Sequence, residues 1–376
     1  MAFLYIETKP ALLRPGSSNR ERLLARFLLP LSSLLMVFLC GCSDSRASSR
    51  TPTLTYEPVT RLRLVDAPGD IQFNAQLAVR QDGELYALLP SPTGAPWVYL
   101  FDGEGNFHRS IGGARPGEAP GEYQRITAVA FDAGDTLWVS DAGAGRVVLE
   151  SVANGSRTMA LHGGAVQQMR TLQDGRMLFT GAFTTRDGIG YLVHQIDRAG
   201  KVTHILESTE PFLAGRARTF ERRMAIAGPQ QYWLSRVTQY DIHLMGLNGD
   251  TVRTFRNAPS WWERPDQDSG PRIHDMGVDA EGLLWLTIAV PTPDPSAERE
   301  LLASNPNVIS LAALAKLTDH VVRVIDPVSG EVLAEERYDY FPLTFVSPHL
   351  AFTIRDAPDA DPSDYRLDVW RFRISR

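Results

Sequence analysis

Four arginines, Arg216, Arg218, Arg222 and Arg223, fall close together in the middle of the chain. Guanidinium groups at that density could form an anion site, because the planar fork of Arg matches the paired oxygens of a carboxylate or phosphate. Arg170 and Arg125 occupy comparable places earlier on. The competing reading is a solvated loop neutralised by Glu207, Glu210 and Glu221. Trp261 and Trp262 are adjacent and precede Asp266, Asp268, Arg272 and His274. Neighbouring exposed indoles could stack a sugar, a peptide or another aromatic ring. The alternative packs both under a neighbouring insertion. His274 and Asp275 open an apolar stretch, where a strand would begin. Asp141 ends another such stretch at a turn, and we expect it to cap backbone N–H groups of that turn rather than hold a ligand. The same holds for Asp82, Asp174 and Asp279.

Other chemistry is not spelled out. None of the 8 histidines shows zinc-type spacing. No Gly-rich phosphate loop, Gly-x-Ser-x-Gly elbow or His-Glu-x-x-His occurs. The acids of 356–364 (DAPDADPSD) lack the central Gly and distal Glu of an EF-hand and read as a solvated turn. The formal net charge of −6 argues against a nucleic-acid binder, which would normally show a basic face. The only 2 cysteines are Cys40 and Cys42, so the rest of the chain holds no disulfide framework or cysteine metal site.

The elements that must position these residues are short strands. Gly (30) and Pro (25) are spread along the chain, as many turns require. A unit of about 40–50 residues recurs. Its marker is a turn followed by an aromatic or apolar strand, as in Asp82-Gly83 before Leu85–Leu88, Asp132–Asp135 before Leu137–Val139, and Asp279–Gly282 before Leu283–Leu286. Each marker has an apolar strand before it and two strands after it, which makes a four-stranded propeller blade. Five units are complete, and the last (343–375) lacks one strand. Val59–Val65 is spare at the N-terminal side, and laid beside Tyr365–Ile374 it completes a sixth blade. The expected fold is therefore an all-β, six-bladed β-propeller with four-stranded antiparallel blades, closed by an N-terminal strand over 54–376. The alternative count is seven blades, if 291–319 hides strands. That insertion reads instead as helical, with starts at Asp294-Pro295 and Asn307.

Residues 1–42 precede the fold. Lys9, Arg14, Arg20, Arg22 and Arg26 form a basic region, and Phe27–Leu39 an apolar one of roughly 13 residues, short of the ~20 a membrane-spanning helix needs. Leu39-Cys40-Gly41-Cys42 resembles the lipobox of bacterial lipoproteins. The resemblance implies lipidation of Cys42, and Ser43 after it implies an outer-membrane address. Residues 43–53 are polar and small and read as a flexible tether.

Over 115–149 the chain resembles an NHL repeat. The Pro120-Gly121-Glu122-Tyr123 linker, the Leu137-Trp138-Val139-x-Asp141 strand end and Arg146-Val147 carry the resemblance. Val324–Glu331 is similar to repeats of quinoprotein-like propellers without their full signature, so no quinone is expected. In lactonase- and lyase-like propellers a divalent metal sits at the channel mouth, which His274 and Asp275 would approach. The expected function is a lipid-anchored, monomeric envelope module with no cofactor. It would bind a protein or small ligand on the face that carries the long loops, through Trp261, Trp262, Arg222, Arg223, His274 and Arg170. The alternative is a metal-dependent enzyme of the lactonase or lyase kind.

Overall fold

A computed structural model describes residues 52–64, 75–90, 96–113, 116–117, 119, 121–151, 155–160, 164–185, 188–189, 191–207, 221–262, 270–292, 316–339, 342–347, 349–356 and 365–375. The first strand, β1 (Thr53–Leu62), belongs to the last blade. Blade one is β2 (Gln76–Val79), β3 (Leu85–Leu89), β4 (Trp97–Asp102) and β5 (Phe107–Gly112). Blade two is β6 (Ile126–Phe131), β7 (Thr136–Asp141), β8 (Arg146–Ser151) and β9 (Gly155–Ala160). Blade three is β10 (Gly164–Thr171), β11 (Met177–Thr185), β13 (Tyr191–Ile196) and β14 (Val202–Glu207), with the short β12 (Gly188–Ile189) pairing the far end of β11. Blade four is β15 (Arg222–Gly228), β16 (Gln231–Arg236), β17 (Ile242–Gly246) and β18 (Thr251–Phe255). Blade five is β19 (Arg272–Val278), β20 (Leu284–Pro291), β21 (Thr318–Ile325) and β22 (Val332–Tyr338). Blade six is β23 (Thr344–Ser347), β24 (Leu350–Asp356), β25 (Tyr365–Ser375) and the returning β1.

The first strand of each blade is innermost. These strands touch in the order β2, β6, β10, β15, β19, β23 and back to β2, which closes the ring at six. The seven-blade alternative is thereby excluded. Both faces of a blade are covered, so inner strands are apolar on both sides, and every residue of β6 (ITAVAF) is buried. The core is divided into six clusters, one between each pair of neighbouring blades. The aromatic markers fill them: Tyr86, Trp138, Trp233 and Trp285 are at most 2% exposed. Gly277 on β19 allows the close approach of blade six, since a Cβ there would meet Phe345 at 2.6 Å.

The marker turns are built alike. Asp82, Asp132, Asp174 and Asp279 each accept a hydrogen bond from the N–H two residues on, as Asx turns do. Asp279 Oδ2 also accepts from Trp285 Nε1 at 2.8 Å, tying turn to aromatic marker. Asp141 is fully buried and accepts from the N–H groups of Arg125 (2.9 Å) and Gln124 (3.2 Å), and from Arg146 Nε (3.2 Å). It caps backbone as expected, although chiefly that of the incoming link rather than of its own turn.

Closure is antiparallel, with Thr53 opposite Ser375 and Leu62 opposite Leu367. Arg61 Nε and Arg366 Nε each lie 2.7 Å from an oxygen of Asp368. Leu54 N donates to Glu336 Oε1 at 3.2 Å, linking β1 to blade five. Gly105 has φ +83°, and a Cβ there would meet Arg61 O at 2.1 Å, so the turn of blade one receives β1 only because it carries glycine. The strand differs from the expected Val59–Val65 by starting at Thr53, because alternation continues upstream of Pro58 across a bulge. Val65 lies outside the described residues, as do Cys42, the rest of 1–51 and the loop 357–364. In blade five the strands extend further than expected, to Pro291 and from Thr318, which pair. Of the expected helical insertion, Lys316 and Leu317 are helical, and 293–315 lies outside the described residues.

Candidate functional site

Strand alternation puts the starts of all six inner strands, and the paired ends of β20 and β21 at Pro291 and Thr318, at one face of the ring. Inner strands enter the channel from that face. Polar side chains interrupt their apolar run near this end: Gln76 opens β2, Thr127 is second in β6, and Arg223 second in β15. His274 and Asp275 lie in the first half of β19.

Asp275 is the centre of the arrangement and is 2% exposed. Its Oδ1 accepts from Gln168 Nε2 at 2.9 Å, and its Oδ2 from Phe345 N at 2.8 Å. Gln168 Oε1 accepts from Met224 N at 2.8 Å. One carboxylate and one amide thus tie blades three, four, five and six. Arg170 Nη2 donates to Phe345 O at 3.2 Å and lies 3.5 Å from Asp275 Oδ1, while Nη1 donates to Met169 O at 3.1 Å. Blades three and six are opposite in a ring of six, so Arg170 reaches across the axis. Together these side chains form a polar floor over the channel.

Arg223 stands nearer the entry. Its Nε donates to His274 O, its Nη1 to Arg222 O at 3.4 Å, and its Nη2 is 4.0 Å from Glu221. His274 Nε2 and Thr344 Oγ1 are 3.3 Å apart, and the His274 ring meets His320 edge-on at 5.4 Å. Burial, and then the charge of Arg223, push His274 down to about 4, so it is neutral near pH 7. Burial and His274 hold His320 down to about 3. Burial pushes the Asp275 carboxyl up, opposed by Arg170 and Arg223. Burial pulls the Arg170 guanidinium down, with Asp275 opposing and Arg223 adding to the shift. Arg170 and Arg223 keep 23% and 24% of their side-chain surface exposed, so both remain reachable.

The structure therefore brings three of the sequence-derived candidates, Arg170, Arg223 and His274, around Asp275. It does not bring the others there. Arg222 is 5% exposed, donates to Glu221 O, and its charge reaches His243 on the third strand of blade four. Trp262 is 7% exposed and packs edge-on against Tyr240 in the core between blades four and five. Trp261 donates Nε1 to Glu335 Oε1 at 3.0 Å and is partly buried against the same core. Of the two readings of this pair, a stacking platform or packing, Trp262 follows packing, against the core of blades four and five. Arg216, Arg218, Glu210, Asp266 and Asp268 lie outside the described residues. Gln168 was missed, although the Gln167-Gln168 pair between Val166 and Met169 on an inner strand was the available signal. Among the described residues, no three His, Cys, Asp or Glu side chains are grouped so as to hold a metal.

No protein-family model matches the chain, and no curated protein matches it. Solved structures do. A member of the DUF4221 family from Bacteroides vulgatus superposes with a TM-score of 0.56 at 11% identity, over 86% of this chain and 97% of that one. A putative exported protein from Bacteroides fragilis gives 0.53 at 12% identity, over 89% and 98%. Virginiamycin B lyase from Staphylococcus aureus gives 0.43 at 11% identity, over 85% and 99%. At these identities the likeness is one of fold: this chain is a six-bladed propeller.

Proposed function

We propose that the protein is a lipid-anchored propeller of the bacterial cell envelope that binds a small ligand or protein partner at the channel mouth. The observation that carries this reading is the convergence of Arg170, Arg223 and His274 on the buried Asp275 from three different blades. The site holds one buried carboxylate, two partly exposed cations and a neutral imidazole, which suits recognition. The anchor rests on Leu39-Cys40-Gly41-Cys42, with Ser43 directing the lipoprotein to the outer membrane. An envelope address is in keeping with the fold likeness to a putative exported protein from Bacteroides fragilis.

The binding role is tested by capturing envelope proteins and small molecules with wild type and with Arg223→Gln. The expected result is loss of one captured species in the variant. Identical capture by both proteins would remove the channel mouth from the argument. Trp261→Ala serves as a parallel probe of the blade-four to blade-five link.

A further inference from the structure

Beyond the channel mouth, we infer that His194 and His204 of blade three form a chelating site for a divalent transition-metal ion, copper(II) above all. The two residues face each other across β13 and β14, and their Nδ1 atoms are 2.9 Å apart. The ladder leads to them across the blade, with Met169 opposite Phe179, Phe179 opposite His194 and His194 opposite His204. Just before the pair it shifts register: Val193 faces Leu206 and His194 faces His204, so Ile205 is passed over. A bulge of this kind re-aims a side chain. His194 is 1% exposed, and its ring lies flat against Phe179, with centroids 5.1 Å apart and planes 5° apart. One imidazole is therefore held in place by packing. His204 is exposed on β14, the outermost strand of the blade. An ion reaching both rings arrives from the side of His204 and keeps its remaining positions for water.

The donor atoms select the metal class. Imidazole nitrogens suit copper, nickel and zinc, whereas calcium and magnesium take oxygen. Spacing then selects within the class. With the ~2.0–2.1 Å metal–nitrogen bonds of imidazole, two nitrogens lie about 2.9 Å apart at a right angle and about 3.4 Å apart at the tetrahedral angle. The observed 2.9 Å matches neighbouring corners of a tetragonal site, the geometry of copper(II) and nickel(II), better than the tetrahedron of zinc. Of these two ions copper(II) binds nitrogen ligands more tightly. The ring planes cross at 80° with centroids 5.0 Å apart, so the rings do not collide when both Nδ1 lone pairs turn toward one ion. Without an ion, one ring donates its Nδ1–H to Nδ1 of the other. On binding, the donor ring gives up that proton and takes one at its own Nε2, so both Nδ1 lone pairs face the metal and no net proton is released. No third His, Cys, Asp or Glu joins the pair among the described residues, and water completes the coordination.

The full chain is titrated at pH 7 with copper(II) sulfate and, separately, zinc sulfate, reading thermal unfolding and, for copper, the electron paramagnetic resonance spectrum. Wild type is compared with His204→Gln, His194→Gln and His108→Gln, the last a control at an exposed histidine of β5. Near-UV circular dichroism confirms that each folds, and His204, being exposed, is the position where substitution leaves the core intact. The thiols of Cys40 and Cys42 take copper alike in every variant, so the difference between variants carries the reading. A saturable tetragonal copper signal with nitrogen hyperfine structure, weakened about a hundredfold in His204→Gln and His194→Gln and kept in His108→Gln, supports the inference, because loss of one of two linked ligands removes the chelate. Copper binding that His204→Gln retains places the ion elsewhere and overturns it. Tighter binding of zinc than of copper overturns the choice of metal, and no saturable response to either ion overturns the site. The channel mouth stands or falls separately, by the capture experiment with Arg223→Gln.

Discussion

At the scale of single residues, function and stability are carried by polar groups that interrupt apolar strands. His274 is kept neutral, so between pH about 4 and about 6.5 the unfolded chain binds more protons at this position than the folded one. Its contribution to stability is full above pH 6.5 and is lost as the pH falls through that window. Urea unfolding of wild type and His274→Gln at pH 7 and pH 4.5 reads this group together with the His320 ring it packs against. The expected outcome is a smaller loss on acidification in the variant, and equal losses would contradict it. Trp262 makes a separate prediction. Its indole fills the core between blades four and five, so Trp262→Ala should cost on the order of 3–5 kcal/mol in chemical denaturation. Trp261→Ala, which loses one partly exposed hydrogen bond, should cost about 1 kcal/mol. The sequence made Arg170, Arg223 and His274 candidates through residue type alone. It did not separate Arg222 from Arg223, because adjacent residues of a strand point to opposite faces and only the register says which one meets the channel. For the tryptophans, the same lack of tertiary context hid which indole is core.

At the scale of elements, the strand pattern was legible because turn chemistry and aromatic markers repeat with each blade. Boundaries were less so. Val59–Val65 was expected for β1, whereas the strand is Thr53–Leu62. Pro58 obscures the alternation, since it cannot donate to a ladder, yet an outermost strand tolerates it at a bulge. The correction moves the point at which truncation matters. Removal of residues through 52 should leave the midpoint of unfolding unchanged, and removal through Leu62 should lower it for the whole ring. Equal stability of the two truncations would show that β1 is not the closing strand. Gly277→Ala tests the joint between β19 and blade six, where the added methyl group would press on Phe345. A loss of about 1–3 kcal/mol is expected, the usual cost of overpacking.

At the scale of the whole molecule, a closed ring has no open sheet end between its first and last blades. Six clusters of similar make-up sit between blades, so no blade owns a core of its own. Unfolding should therefore be a single transition, with fluorescence of the buried tryptophans and far-UV circular dichroism coinciding. The proposed membrane anchor is tested apart from the ring. Cys42→Ser should release the protein from the membrane pellet into the soluble envelope fraction, and continued pelleting would contradict lipidation.

The pairing of Thr53 with Ser375 also dictates an order of events. The chain is made from the N-terminus at about 5–20 residues per second, so 322 positions of separation impose a wait of roughly 15 s to a minute. Throughout that interval the earliest strand has no partner, and the nascent blades form an open arc whose apolar flank is bare. The final dozen residues are thus the rivet: until they emerge, nothing holds the assembled arc in a circle.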